Sequence, residues 1–184
     1  MEQDAAKSIP PAGDMDGNAL CRKCGLCCRG VWFSHVKLDE SEIEPARRLG
    51  LPIEMVDGQS QFQQPCVLHD GKGCTVYQTW RPRRCVEYRC SLLNRFDASE
   101  VTFDEAQRHV ITARALADRV QNDAGPIAGG LLGNAFLNRL EATPGGDTIG
   151  VPPLPPMTKL DAVALRIYFD RHFRKGKPPP REEV

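Results

Sequence analysis

The placement of eight cysteines constrains this chain more than any other feature. They stand at Cys21-x2-Cys24-x2-Cys27-Cys28 and at Cys66-x7-Cys74-x10-Cys85-x4-Cys90, and the half that follows has none. In a reducing compartment thiols do not rest as structural disulfides, so a dense, regularly spaced set reads as metal binding or redox chemistry. An even count also admits a secreted disulfide framework. Against that, the opening MEQDAAKSIPPAGDMDGNAL carries acids where an export signal needs a basic start and an apolar core. We therefore expect a cytoplasmic protein.

Bulk composition narrows the class further. A chain of 184 residues fits one domain, or one domain plus a helical extension. Formal net charge is zero, so neither nucleic acid nor an acidic membrane is expected as a partner. No apolar run is long enough for a membrane span. A protein partner stays open.

Four stretches follow from the composition shifts. Residues 1–19 are polar, with Pro10 and Pro11, and read as a flexible lead-in. Residues 20–95 hold every cysteine and form the metal-binding region. Residues 96–174 read as helices packed on it, crossed by the Pro-rich connector TPGGDTIGVPPLPP between Thr143 and Pro156. Residues 175–184 are a Pro-rich tail.

Local signals give an α+β chain, mainly α, with an irregular Cys-rich region, a short β-hairpin and about three helices in the C-terminal half. VWFSHVKL after Gly30 favours a short strand. Asp39-x-x-Glu42 opens a helix that Gly50 stops. In VLHDGKGCTVY an Asp-Gly pair between β-favouring stretches predicts a hairpin, with Cys66 on one arm and Cys74 on the other. Thr102-x-x-Glu105 is a second capping box. Behind it Phe103, Ala106, Val110, Ala113, Ala117 and Val120 share one helix face. Ile127–Leu140 repeats the pattern. Thr158-x-x-Asp161 opens a third helix whose apolar positions are Leu160, Val163, Ala164, Ile167 and Phe169. So few large apolar residues lie in the Cys-rich region that a metal staple is favoured.

The first motif brings three or four sulfurs together whether it is helix or loop. On a helix, Cys21, Cys24, Cys27 and Cys28 share a face. In a loop, Gly25 and Gly30 let backbone amides point at the centre. The adjacent pair is the odd feature, since neighbouring residues rarely direct both side chains at one tetrahedral ion. Cys27 and Cys28 then serve different sites, or one is a spare or reactive thiol, with Cys28 the candidate. Two centres would use the ligands as four plus four. Four thiolates suit zinc and iron–sulfur clusters alike. Between Cys21 and Cys90 there are eleven Lys or Arg against eight Asp or Glu. Of these, Arg22, Lys23, Arg29, Arg81, Arg83, Arg84 and Arg89 flank the ligands. Such cations either lower the thiol pKa values or form a solvated basic face.

Read together, Cys21-x2-Cys24-Gly25-x-Cys27-Cys28, Pro65-Cys66, Gly73-Cys74-x-Val76-Tyr77, Arg81-Pro82-x2-Cys85 and Cys90 resemble the CxxCxxCC cysteine-cluster family, of the YkgJ type. The resemblance covers residues 20–90 and all eight cysteines. It implies a zinc- or iron-chelating protein, often one holding an iron–sulfur cluster, 4Fe–4S being one form. It also implies metal ligands at Cys21, Cys24, Cys27, Cys28, Cys66, Cys74, Cys85 and Cys90, without saying which sulfurs share an ion. Tyr77 would pack over the hairpin and Pro82 would turn the chain before Cys85.

Three functions follow. The first is an iron–sulfur protein whose centre serves structure, electron transfer or redox sensing. The second is a structural zinc module for protein interaction. The third is part of a protein-modifying enzyme, by analogy with the flagellin lysine N-methylases of that family. No catalytic motif supports the third.

Other candidates read as structural. His69 and His35 lie near the cysteines, but eight thiols suffice as ligands. His109 and His172 read as ordinary helix residues. Gly129-Gly130-x2-Gly133 lacks the Gly-Lys-Ser/Thr ending of a phosphate loop. Trp32 and Trp80 either shield the centre or pack in the core.

Overall fold

The computed structural model describes residues 16–124 and 155–174. The expected helix at Ile127–Leu140, the glycine triplet within it, the tail and most of the connector lie outside these residues. The described elements run α1 (Gly17–Cys24), β1 (His35–Lys37), α2 (Glu40–Arg48), β2 (Ile53–Val56), β3 (Gln59–Gln63), α3 (Arg83–Glu87), α4 (Ser91–Asp97), α5 (Phe103–Ala124) and α6 (Pro156–His172). The class is α+β and mainly α, as expected.

α1 begins inside the stretch read as lead-in. Asp16 caps it, its Oδ1 accepting from the Ala19 amide at 2.7 Å. The helix ends at Gly25, whose φ of 60° is the left-handed cap geometry. A Cβ there would lie 2.5 Å from His69 Nε2, so the position needs glycine twice over.

The sheet is three-stranded and antiparallel in the order β1-β3-β2. Its hairpin is the one between β2 and β3, turning on Asp57 and Gly58, both at positive φ. This differs from the expected hairpin at VLHDGKGCTVY. That stretch has a single bridge, His69 to Cys74, around a turn in which Asp70 Oδ1 accepts from the Lys72 and Gly73 amides. The side chain satisfies amides that a hairpin would have spent on a ladder. Likewise only His35–Lys37 of VWFSHVKL is strand; Val31 is fully buried in the helical core instead.

Two cores result. The larger joins Leu20, Leu26 and Val31 to α4, α5 and α6. The smaller holds Val36, Leu38, Ala46, Leu51 and Phe62 under the sheet. α5 behaves as its sequence predicts. Thr102 and Glu105 form the reciprocal box, at 2.7 and 3.2 Å. Ala106, Val110, Ala113, Ala117 and Val120 are buried on one face.

α6 departs from expectation. It starts at Pro156, two residues before Thr158, because Thr158 and Asp161 serve α5 rather than a cap. Thr158 Oγ1 donates to Asp123 Oδ2 at 2.7 Å, and Arg119 clamps Asp161 through two bonds of 3.0 and 2.9 Å. The buried face is Thr158, Ala162, Leu165, Phe169 and Phe173. Leu160 and Ile167, each 63% exposed, point away with Met157 and Val163.

Candidate metal centre

The eight cysteines sit at the seam between the two cores, each half-buried and each a free thiol. α1 supplies Cys21 and Cys24, one helical turn apart. The turn beyond Gly25 supplies Cys27 and Cys28, held by bonds from Arg29 N to Gly25 O (2.9 Å) and from Val31 N to Leu26 O (3.0 Å). The first motif is therefore helix and glycine turn in sequence. A backbone bond of 2.7 Å from Cys66 N to Cys28 O ties the second cysteine block to the first.

α3 carries Cys85, and Pro82 caps it, matching the expected change of direction. Glu42 positions α3. One carboxylate oxygen takes the Asp39 amide at 2.8 Å, closing the start of α2, and the other takes the Arg83 amide. Arg83 in turn bonds Asp39 at 2.8 Å. Cys90 caps α4 in chain position.

Two cavities open among the thiols. The larger, about 620 Å³, is lined by Cys21, Cys27, Cys28, Cys66, Cys74 and Cys85. The smaller, about 60 Å³, is lined by Cys21, Cys24, Cys27, Cys28 and Cys90, with leucine and phenylalanine walls from the helical core. Among the described residues, no three His, Cys, Asp or Glu side chains form a ready single-ion group. The donor chemistry fits thiophilic metal, since sulfur from four separate segments faces common space. Gln64 Oε1, in the wall of the larger cavity, is buried without a hydrogen-bond partner.

Burial sets the protonation of these groups. It pushes the thiols of Cys24 and Cys85 up to about 12, and those of Cys27 and Cys28 well up; neighbouring thiols add to this. Cys21, Cys66 and Cys90 are raised for the same first reason. Flanking cations do pull on the thiols in the direction that one of the two readings expected, but they do not set the outcome. Arg81 does act on Cys21 and Cys85, and Arg114 on Cys24, but desolvation outweighs them. Arg29 and Arg83 are engaged elsewhere, by Asp118 and Asp39.

The other candidates find ordinary places. His69 Nδ1 accepts from the Gly71 amide at 3.2 Å, and its Nε2 side packs over Gly25. His35 Nδ1 lies 2.9 Å from Ser34 Oγ. Tyr77 lies under the Arg81 guanidinium, 3.7 Å from its centroid, and its hydroxyl donates to Asn18 at 3.2 Å. Trp32 stacks on Phe169 at 4.7 Å in the helical core, and Trp80 packs against the sheet core beside Cys66 and Cys85.

Sequence reasoning passed over Tyr88. Its ring meets Phe33 edge-on at 4.8 Å, it lines both cavities, and burial beside Cys27 pushes its hydroxyl pKa up. Its place between Cys85 and Cys90 was the one signal available.

Residues 20–109 match the model of the CxxCxxCC family, described as a "putative zinc- or iron-chelating domain". Over these residues, just under half of its length, the chain is similar to a CxxCxxCC domain. No curated protein and no solved structure matches the chain. The CxxCxxCC domain spans all eight cysteines and runs into the first turns of α5, so the helical core shares its boundary. Among the described residues, no helix is long and apolar enough to cross a membrane.

Proposed function

We propose that the CxxCxxCC domain holds an iron–sulfur cluster on cysteine thiolates, for electron transfer or redox sensing. The observation that carries this is the larger cavity, about 620 Å³ with six thiols in its wall. A water molecule takes about 30 Å³ of liquid, so this space suits an inorganic core of several atoms better than one ion. A thiolate-bound cluster supplies one-electron chemistry, with a potential set by local charge, hydrogen bonds and solvent access. The residues around the cavity tune those terms. Arg81 over Tyr77, with Arg22 and Arg84 in the same wall, offsets thiolate charge, while Tyr88 and Trp80 keep water from the sulfurs.

Protein purified without oxygen is expected to be brown, to absorb near about 400 nm and to hold about four irons per chain. A colourless protein loaded with zinc overturns the reading. That outcome supports the second one, a structural zinc module, which the smaller apolar-walled cavity favours.

A further inference from the structure

We infer that the eight cysteines form two separate and unequal four-thiol sites: Cys21, Cys24, Cys27 and Cys90 around a small closed one, and Cys28, Cys66, Cys74 and Cys85 around a large one. The division presupposes thiolate-bound metal, as proposed above.

Three observations agree on it. The first is which cavity each sulfur lines. Cys24 and Cys90 line the small cavity and not the large; Cys66, Cys74 and Cys85 line the large and not the small. Cys21, Cys27 and Cys28 stand in the wall between them. The second is packing. Cys21, Cys24 and Cys90 lie against the helical core, whereas Cys66 and Cys85 lie against the sheet core.

The third separates the adjacent pair by the backbone. The Cys66 amide donates to the Cys28 carbonyl at 2.7 Å, which ties Cys28 to the second cysteine block. Cys27 and Cys28 lie together in the turn beyond Gly25, and neighbouring side chains diverge, so Cys27 is left to the set on α1 and α4.

The two sites differ in kind. The small one, about 60 Å³ with apolar walls, has room for a single ion such as zinc; its thiols are not preset around one and would turn inward on binding, closing α1 onto α4. The large one has the volume and the cationic wall for a cluster. The adjacent cysteines thus couple a structural ion to a redox centre.

The test uses three double variants of the full chain, C24S/C90S, C66S/C85S and C24S/C85S, purified without oxygen. Each is read by element analysis, visible spectrum and far-ultraviolet circular dichroism. The first pair should lose the single ion and keep the iron and colour. The second should lose the iron and keep the ion. The mixed pair should lose both. Equal loss of all metal from the first two pairs overturns the division.

If the variants do not fold, cobalt(II) titration of the metal-free wild-type chain decides. An end point of two ions per chain supports two sites, and one ion overturns them. Should the chain hold only zinc, yet lose it by halves in the two pairs, the iron–sulfur reading falls and the division stands. Should it hold iron whose colour needs cysteines of both sets, the reverse is true.

Discussion

At the scale of single residues, the domain is built on atoms in places few side chains tolerate. Gly25 is the clearest case. A Cβ at φ 60° costs about 1–2 kcal/mol, and here it also meets His69 Nε2 at 2.5 Å. Gly25→Ala is expected to destabilise the metal-loaded protein by about 2 kcal/mol or more in denaturant unfolding. Adding His69→Ala should recover the clash and not the backbone strain; no recovery would show that His69 is not the obstacle. The thiols make a second prediction. With Cys24 and Cys85 pushed up to about 12 by burial, both are protonated near neutral pH in the metal-free fold. Metal must displace those protons, so affinity rises with pH. Titration calorimetry at pH 7.5 should give heats that depend strongly on the buffer's ionisation enthalpy. Heats independent of buffer would mean preformed thiolates.

Among the elements, the α5–α6 pair decides how rigid the platform behind the cysteines is. Phe169 is buried between Trp32 and Phe173, at 4.7 and 4.8 Å. Phe169→Ala should cost about 3–5 kcal/mol and shift Trp32 fluorescence to the red; an unchanged emission would place Trp32 elsewhere. The same pair carries a pH response. His172 stacks on His109 at 4.0 Å, and His109 Nδ1 lies 2.7 Å from the Tyr168 hydroxyl. Burial, then His109, Arg171 and Arg95, lowers His172 from 6.5 to about 4. Burial, Arg95 and Arg108 lower His109 as well, against a weaker pull from Glu105. Between pH 6.5 and about 4 the unfolded chain takes up a proton that folded His172 refuses, so this contribution to stability is lost as pH falls. His172→Phe should flatten the fall in melting temperature across that window relative to wild type. A parallel fall in both proteins would refute the assignment.

For the molecule as a whole, the two cores are unequal and the cysteines join them. The sheet core is a handful of side chains with Trp80, Cys66 and Cys85 against it, whereas the helical core runs the length of α5 and α6. Small cores rely on a staple. Stripping metal with a chelator under reducing conditions should therefore raise amide exchange first in β1, β3 and the segment 64–90. The amides of α5 should stay protected longest. Uniform loss of protection would mean one cooperative unit instead of two joined by metal.

The cysteine spacing, the capping boxes of α2 and α5 and the apolar face of α5 were legible because each is a local pattern with a local cause. So was the conflict at Cys27 and Cys28, which follows from the divergence of adjacent side chains. The β2–β3 hairpin, in Met55-Val56-Asp57-Gly58, was passed over, because the second Asp-Gly pair at Asp70 took the reading. There Asp70 bonds its own turn and no ladder forms. On α6 periodicity offered two apolar faces. Only the partner helix selects between them, because burying Leu165 and Phe169 against α5 turns Leu160 and Ile167 outward. The thiol pKa values were decided by tertiary structure in the same way. Flanking arginines can be counted along a chain, whereas desolvation depends on two cores closing over the sulfurs from either side.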